Sequence, residues 1–262
     1  MKHKLLISLV LMLLLALLSF TSATANNKAT VYVGHGIPGE ALDLDPPPPP
    51  SLPVDVLIND TNCLLEDFEF GEFAGPVDVV SGTHNIKISL SADASPCGND
   101  PVIETDVTVE GGKNYTVFAH LTATGVPTAT AFENDVSSIV PGKARLTVRH
   151  TAAAPAVDIT LNRGWGRGRP LGPMDTRPIQ DLMNPMEAGP LDIRPGAYQA
   201  TIFPANGADP VGDPLNVELK PFKSYIVYAV GDLGGGSFTV LTHMLEEKLS
   251  KGMPPRPNPP MP

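Results

Sequence analysis

Four segments of this chain occur twice, in the same order, and that repetition limits the folds available to it. Lys28-Ala-Thr-Val-Tyr-Val-Gly-His35 returns as Lys143-Ala-Arg-Leu-Thr-Val-Arg-His150. Pro53-Val-Asp-Val-Leu-Ile-Asn59 returns as Ala156-Val-Asp-Ile-Thr-Leu-Asn162, and Gly75-Pro-Val-Asp-Val79 as Gly189-Pro-Leu-Asp-Ile193. Gly112-Lys-Asn-Tyr-Thr-Val-Phe-Ala119 returns as Phe222-Lys-Ser-Tyr-Ile-Val-Tyr-Ala229. The offset is 115 at the histidines, 103 at Asp55 and Asp158, 114 at Pro76 and Pro190, and 110 at Tyr115 and Tyr225. Matches that keep their order while the offset drifts mark tandem domains whose loops differ in length.

Within each repeat the apolar residues alternate with polar ones. Ile86, Ile88 and Leu90 point one way and Asn85, Lys87 and Ser89 the other. Tyr115, Val117, Ala119 and Leu121 alternate with Thr116, Phe118 and His120, and in the second repeat Tyr198, Ala200 and Ile202 share a face. A period of two over short runs, broken by Gly and Pro, is the signature of half-buried strands. Gly82, Gly196 and the Gly111-Gly112 pair stand where hairpins must turn. The expectation is an all-β chain of two tandem antiparallel β-sandwiches, each with seven or eight strands. The first spans residues 26–137 and the second 143–250, with a linker at 138–142 short enough for the domains to touch, end to end or side by side. Residues 251–262 form a proline-rich tail unable to build a core. Before it, Met244 to Ser250 could form two turns of helix.

Residues 1–25 read as a signal peptide. Lys2 and Lys4 precede an apolar run from Leu5 to Phe20, and Ala23-Thr-Ala25 is a small-residue cleavage pattern. That run is shorter than the roughly 20 residues that span a bilayer, so the predicted product is exported, with no membrane insertion after cleavage. The chain carries 18 basic and 28 acidic residues, a net charge of -10. Removal of Lys2 and Lys4 makes it more acidic still. Such a balance excludes nucleic acid as the expected partner, since binding there rests on neutralising phosphates with Lys and Arg. Cys63 and Cys97 are the two cysteines, both in the first repeat. In an exported chain an even count predicts a disulfide, worth about 3–4 kcal/mol in the chain-entropy model.

Few residues carry candidate chemistry. His35 with Asp55, and His150 with Asp158, recur at neighbouring strand starts. The reading adopted is structural, a His–Asp hydrogen bond at each strand end, because two ligands per domain are too few for a closed zinc site. His84, His120 and His243 have no pattern and default to core or surface. Asp43, Asp45 and the run Glu66, Asp67, Glu69 and Glu72 fit no calcium-loop spacing, so no metal and no cofactor are expected. Arg163, Trp165, Arg167 and Arg169, set between glycines in a non-repeating loop, form the basic patch of an acidic chain. An exposed Trp beside planar guanidinium groups could stack on a sugar or hold an acidic group. The second candidate contact is the loop from Glu40 to Ser51, with five consecutive prolines at Pro46–Pro50.

His150-Thr-Ala-Ala-Ala-Pro-Ala-Val-Asp158, followed by Gly196-Ala-Tyr198 and Lys223-Ser-Tyr-Ile-Val-Tyr-Ala229, resembles the DUF4397 family of exported bacterial β-sandwich domains. The resemblance covers nearly all of the chain beyond the leader, as two copies, of which the second matches better. The first departs from it by its proline-rich insertion and by His84 where Tyr198 stands. The resemblance implies an Ig-like or transthyretin-like sandwich, export, and frequent placement at the cell surface. It implies no catalytic residue.

No G-x-S-x-G elbow and no H-E-x-x-H motif occurs. The expected function is therefore a non-enzymatic exported binding or cell-surface structural module. Its expected partners are extracellular polysaccharide or an envelope protein, met by loops carried on rigid strands. The alternative is an extracellular hydrolase acting on envelope polymers through a cleft between the domains. That would need the His–Asp pairs to converge there. A metal-dependent adhesin using Asp43 and Asp45 is a weaker third reading.

Overall fold

The alternating runs of the first repeat become eight strands. They are β1 (Lys28–His35), β2 (Val54–Ile58), β3 (Asn62–Phe68), β4 (Phe73–Val80), β5 (Gly82–Leu90), β6 (Ile103–Val109), β7 (Asn114–Leu121) and β8 (Pro127–Glu133). The second repeat supplies eight more: β9 (Ala144–His150), β10 (Val157–Arg163), β11 (Ile179–Leu182), β12 (Glu187–Ile193), β13 (Gly196–Pro204), β14 (Leu215–Leu219), β15 (Ser224–Val230) and β16 (Thr239–Leu245). The structure is a computed structural model that describes residues 27–42, 44, 47–91, 95–164, 179–205 and 207–245.

Two sheets form each sandwich, and the second sandwich copies the first strand for strand. The first has the orders β4-β1-β7-β8 and β3-β2-β5-β6. The second has β12-β9-β15-β16 and β11-β10-β13-β14, the same orders moved on by eight. Neighbours are antiparallel except at the centre of one sheet per sandwich, where β1 runs parallel to β7 and β9 to β15. A parallel pair needs a long crossover, and here the connection between its members passes through the other sheet.

Several repeated sequence words acquire a reason. Gly75 and Gly189 have φ of 112° and 122°. A Cβ at either would lie 2.8 Å from a carbonyl oxygen, of Val31 or of Leu146, so only glycine fits. The β1–β4 and β9–β12 ladders shift register at these points. Tyr115 and Tyr225 accept the backbone N–H five residues upstream, from Glu110 at 3.4 Å and Lys220 at 3.1 Å. Each hydroxyl thereby pins the turn that leads into its own strand.

Each sandwich has its own apolar core. Val31, Val54, Ile88 and Val117 lie in the first, and Leu146, Val157, Ile202 and Leu219 in the second. A third cluster joins them. Tyr32, Phe118 and Phe132 of the first sandwich pack with Ile226, Tyr228, Val230 and Leu245 of the second. The two sheets with parallel centres therefore face each other, giving four stacked layers. Of the two expected arrangements, end to end or side by side, this face-to-face seam is a form of the second. It also explains why every residue of β9 is buried: both faces of that strand meet protein.

Met244 and Leu245 close β16 instead of opening a helix, and residues 246–250 lie outside the described residues. The proline-rich loop doubles back on itself. The Gly39 N–H donates to the Pro50 carbonyl at 3.0 Å and Leu52 is buried, while Pro47, Pro49 and Pro50 remain exposed.

Candidate functional site

The histidines that end β1 and β9 hold loops, not aspartates. His35 Nε2 donates to the Leu52 carbonyl at 2.9 Å, and Nδ1 accepts the Ile37 N–H at 3.3 Å. His150 repeats this with the Pro155 carbonyl at 2.9 Å and the Ala152 N–H at 3.4 Å. Both rings are therefore neutral, with the proton on Nε2, and burial lowers both pKa values against the opposing pull of those carbonyls. Asp55 Oδ1 accepts the Asp67 N–H at 3.1 Å and the Ser91 hydroxyl at 2.7 Å, and Oδ2 accepts the Cys97 N–H at 2.7 Å. Burial alone would raise its pKa, but these donors hold it below the usual carboxylate range. Asp158 accepts the Asp181 N–H at 2.9 Å. Asp67 and Asp181 share a left-handed backbone, φ 50° and 52°. The predicted His–Asp hydrogen bonds are thus replaced by four separate anchors. Side chains close in sequence pattern point to different loops, and each finds backbone partners there.

Cys63 and Cys97 are joined, with Cα atoms 5.9 Å apart. The bridge ties the loop after β5 to β3, beside the Asp55 anchor.

The seam between the sandwiches holds charged groups at positions where the two copies of a repeated segment differ, Arg145 standing where Thr30 does and Arg149 where Gly34 does. Arg149 is 1% exposed. Its Nε donates to Glu187 at 2.9 Å, Nη1 to the Tyr228 hydroxyl at 2.8 Å and Nη2 to the Asn134 side-chain oxygen at 2.9 Å. The guanidinium lies 4.5 Å from the centre of the Phe132 ring. Arg145 binds Asp192 at 2.9 Å and Asp135 at 3.0 Å. His243 stacks on Phe73 with centroids 4.4 Å apart, and its buried Nδ1 has no partner among the described residues. Burial, reinforced by Arg149, pushes its pKa down to about 4. Burial lowers the pKa of His120 against the pull of the Leu121 carbonyl, and His150 of the other sandwich lowers it further. Alternation in Arg145, Thr147 and Arg149 was the available sequence signal, but it reads as a solvent-facing edge until a second sheet is known to cover it.

A polar groove of about 390 Å³ opens at the rim of the seam, lined by Lys113, Glu133, Asp135, Ser137 and Glu187. Its carboxylates are already engaged, Glu133 by Lys113, Asp135 by Arg145 and Glu187 by Arg149. Among the described residues no cluster of three metal-ligating side chains occurs. The acidic run has a local bond instead, from the Glu69 N–H to Glu72 at 3.0 Å. Asp43 and Asp45 lie outside the described residues, as do Trp165, Arg167 and Arg169. Arg163 is described: it ends β10, and its Nη2 donates to the Pro195 carbonyl at 3.0 Å.

The profile of one protein family, "Domain of unknown function (DUF4397)", matches residues 29–160. The match covers the first sandwich and crosses the seam into β10, so it falls on the copy whose motifs depart further from the family pattern. No curated protein matches the chain. Among solved structures, a protein from Bacteroides ovatus described as "a putative cell adhesion protein" aligns at 8% identity and a TM-score of 0.23. That alignment spans 82% of this chain and 96% of the other.

Proposed function

The chain belongs to the DUF4397 family, whose function is unknown, and from that premise we propose that it is an exported, non-enzymatic binding or cell-surface structural module. The observation that carries the reading is the use made of the candidate chemical groups. His35, His150, Asp55 and Asp158 each hold a loop in place. They act as rigid supports for loops, and loops on a rigid scaffold are where recognition sits. The hydrolase alternative needed the two His–Asp pairs to converge in an interdomain cleft, and each pair is divided between separate loops.

Export rests on the leader-like residues 1–25, on the Cys63–Cys97 bridge and on the family's character. No helix among the described residues is long and apolar enough to cross a membrane. Within this reading the loop that leaves β10, with Arg163, Trp165, Arg167 and Arg169, is the contact surface, and the partner is an extracellular polysaccharide or an envelope protein. Co-sedimentation of the purified protein with isolated cell envelope and with insoluble polysaccharides tests it. Retention lost in Trp165→Ala is the expected result. No retention on any matrix, with or without calcium, overturns it.

A further inference from the structure

Charge divides the two repeats. Residues 26–137 hold 3 basic and 17 acidic side chains, a net of -14, whereas residues 143–250 hold 11 of each. Arg145 and Arg149 are buried in the seam. Five other basic residues of the second sandwich gather at one end, and the backbone shows how. Arg163 donates to Pro195, next to Arg194. Gly196 pairs with Leu219, which brings Lys220 beside that turn. The Phe222 N–H donates to the Lys143 carbonyl at 2.7 Å, and the Arg145 N–H to the Lys223 carbonyl at 2.9 Å. None of Lys143, Arg163, Arg194, Lys220 and Lys223 is within ion-pair distance of a carboxylate among the described residues.

The first sandwich shows what this end looks like without such a cluster. By the repeat offsets, Asp60 corresponds to Arg163, Val80 to Arg194 and Glu110 to Lys220. Gly112 corresponds to Phe222, with φ 81° against 61°. A bulky residue in left-handed backbone is strained, yet the Phe222 ring is 50% exposed, so little packing offsets that strain. Strain without compensating burial points to use at a surface.

We propose that this end of the second sandwich, with Arg163, Arg194, Lys220, Lys223 and the Phe222 ring, is a docking pole for an acidic polysaccharide. It deepens the binding-module reading above and rests on it. Guanidinium and ammonium groups match carboxylates spaced along a sugar chain, and the exposed ring offers a face for a pyranose to stack on. A bilayer or a nucleic-acid duplex presents a broad anionic face, which the acidic first sandwich packed beside it repels. A single polysaccharide strand can touch the pole alone.

The test is retention of the full protein on alginate and on dextran at low salt, with anionic phosphatidylserine vesicles as a third arm. Retention on alginate and not on dextran is expected, falling as salt rises. The double change Arg194→Glu, Lys220→Glu should weaken it by about tenfold or more, as loss of attraction becomes repulsion, while Lys28→Glu leaves it nearly intact. Phe222→Gly should weaken retention and raise Tm, a combination that a purely structural ring does not give. The proposal is overturned by absence of alginate retention, by equal losses in the pole and Lys28 variants, or by preference for vesicles. Retention on a neutral polysaccharide that depends on Trp165 and ignores the pole charges removes this inference and leaves the broader binding reading standing.

Discussion

The two sandwiches share a topology and differ in the faces they turn outward. Their strand orders coincide, their glycines at 75 and 189 face the same steric limit, and their tyrosines at 115 and 225 make the same bond. At the seam, however, the first sandwich presents Tyr32, Phe73, Phe118 and Phe132, whereas the second presents Arg145, Arg149, Tyr228 and His243. An aromatic layer meets one that adds two buried guanidinium groups to its own aromatic and aliphatic side chains. The inward half of each alternating strand holds the shared fold, and the outward half is where two copies of one fold acquire different partners, here each other.

The largest expected effect strikes the first sandwich only. Cys63→Ser with Cys97→Ser should lower stability by about 3 kcal/mol, and hydrogen exchange should rise in β3 and β5 while β11 and β13 stay protected. Loss of protection in both sandwiches would mean that they unfold as one unit. The next breaks the complementarity of the seam from the cationic side. Arg149→Met leaves the buried Tyr228 and Asn134 without a charged donor, while Glu187 is partly exposed and can turn to water, and should cost about 2 kcal/mol or more in urea unfolding. A cost below 1 kcal/mol would show that the seam is held by its aromatic layer alone. Gly75→Ala and Gly189→Ala test equivalence, since each forces a Cβ against a carbonyl at positive φ. Each should cost about 1–3 kcal/mol, and a large difference between them would refute the shared geometry. Tyr225→Phe and Tyr115→Phe should each cost about 1 kcal/mol, the larger loss falling at the shorter bond of Tyr225.

Acid should loosen the seam, and the sign follows from the direction of the shifts. His243, His120 and His150 are held neutral, with folded pKa values below the ordinary 6.5. The unfolded chain therefore takes up protons first, and stability falls as pH drops from about 6.5 toward 4. Asp55, Asp135 and Asp192, held below the ordinary 3.8, add a further loss that sets in as pH approaches that value and grows as it falls through their lower folded values. Tm measured between pH 7 and 4 should decline, and His243→Phe should flatten the decline. An unchanged slope would remove His243 from the account.

Much of the fold was legible because the repeat supplied two readings of one pattern. Gly75-Pro-Val-Asp-Val79 and its partner were legible as equivalent positions of the two copies, though not as the strands β4 and β12 that they become, and the paired cysteines marked their own bridge. The His–Asp recurrence was legible as structure but not as geometry. Spacing shows that His35 and Asp55 matter to the same end of a sandwich, and it cannot show that one faces Leu52 and the other Cys97. The seam was hidden for a different reason. Phe118 and His120 occupy the phase of β7 that an isolated sandwich would turn to water, so their burial depends on a second body that local periodicity does not contain. The charge reversal from Asp60 and Glu110 to Arg163 and Lys220 was present in the letters, but it takes a shared topology to place those positions at one end.

The seam also bears on heredity. A first copy released from its neighbour would expose a sheet of phenylalanine and tyrosine, and a released second copy would carry arginines whose acceptors Asn134 and Asp135 had left with the other half. Each fragment alone is expected to be less stable and more prone to associate than the pair. Once the sandwich had doubled, substitutions on its two seam faces were therefore inherited under mutual constraint, each copy's outward sheet fitted to the other's.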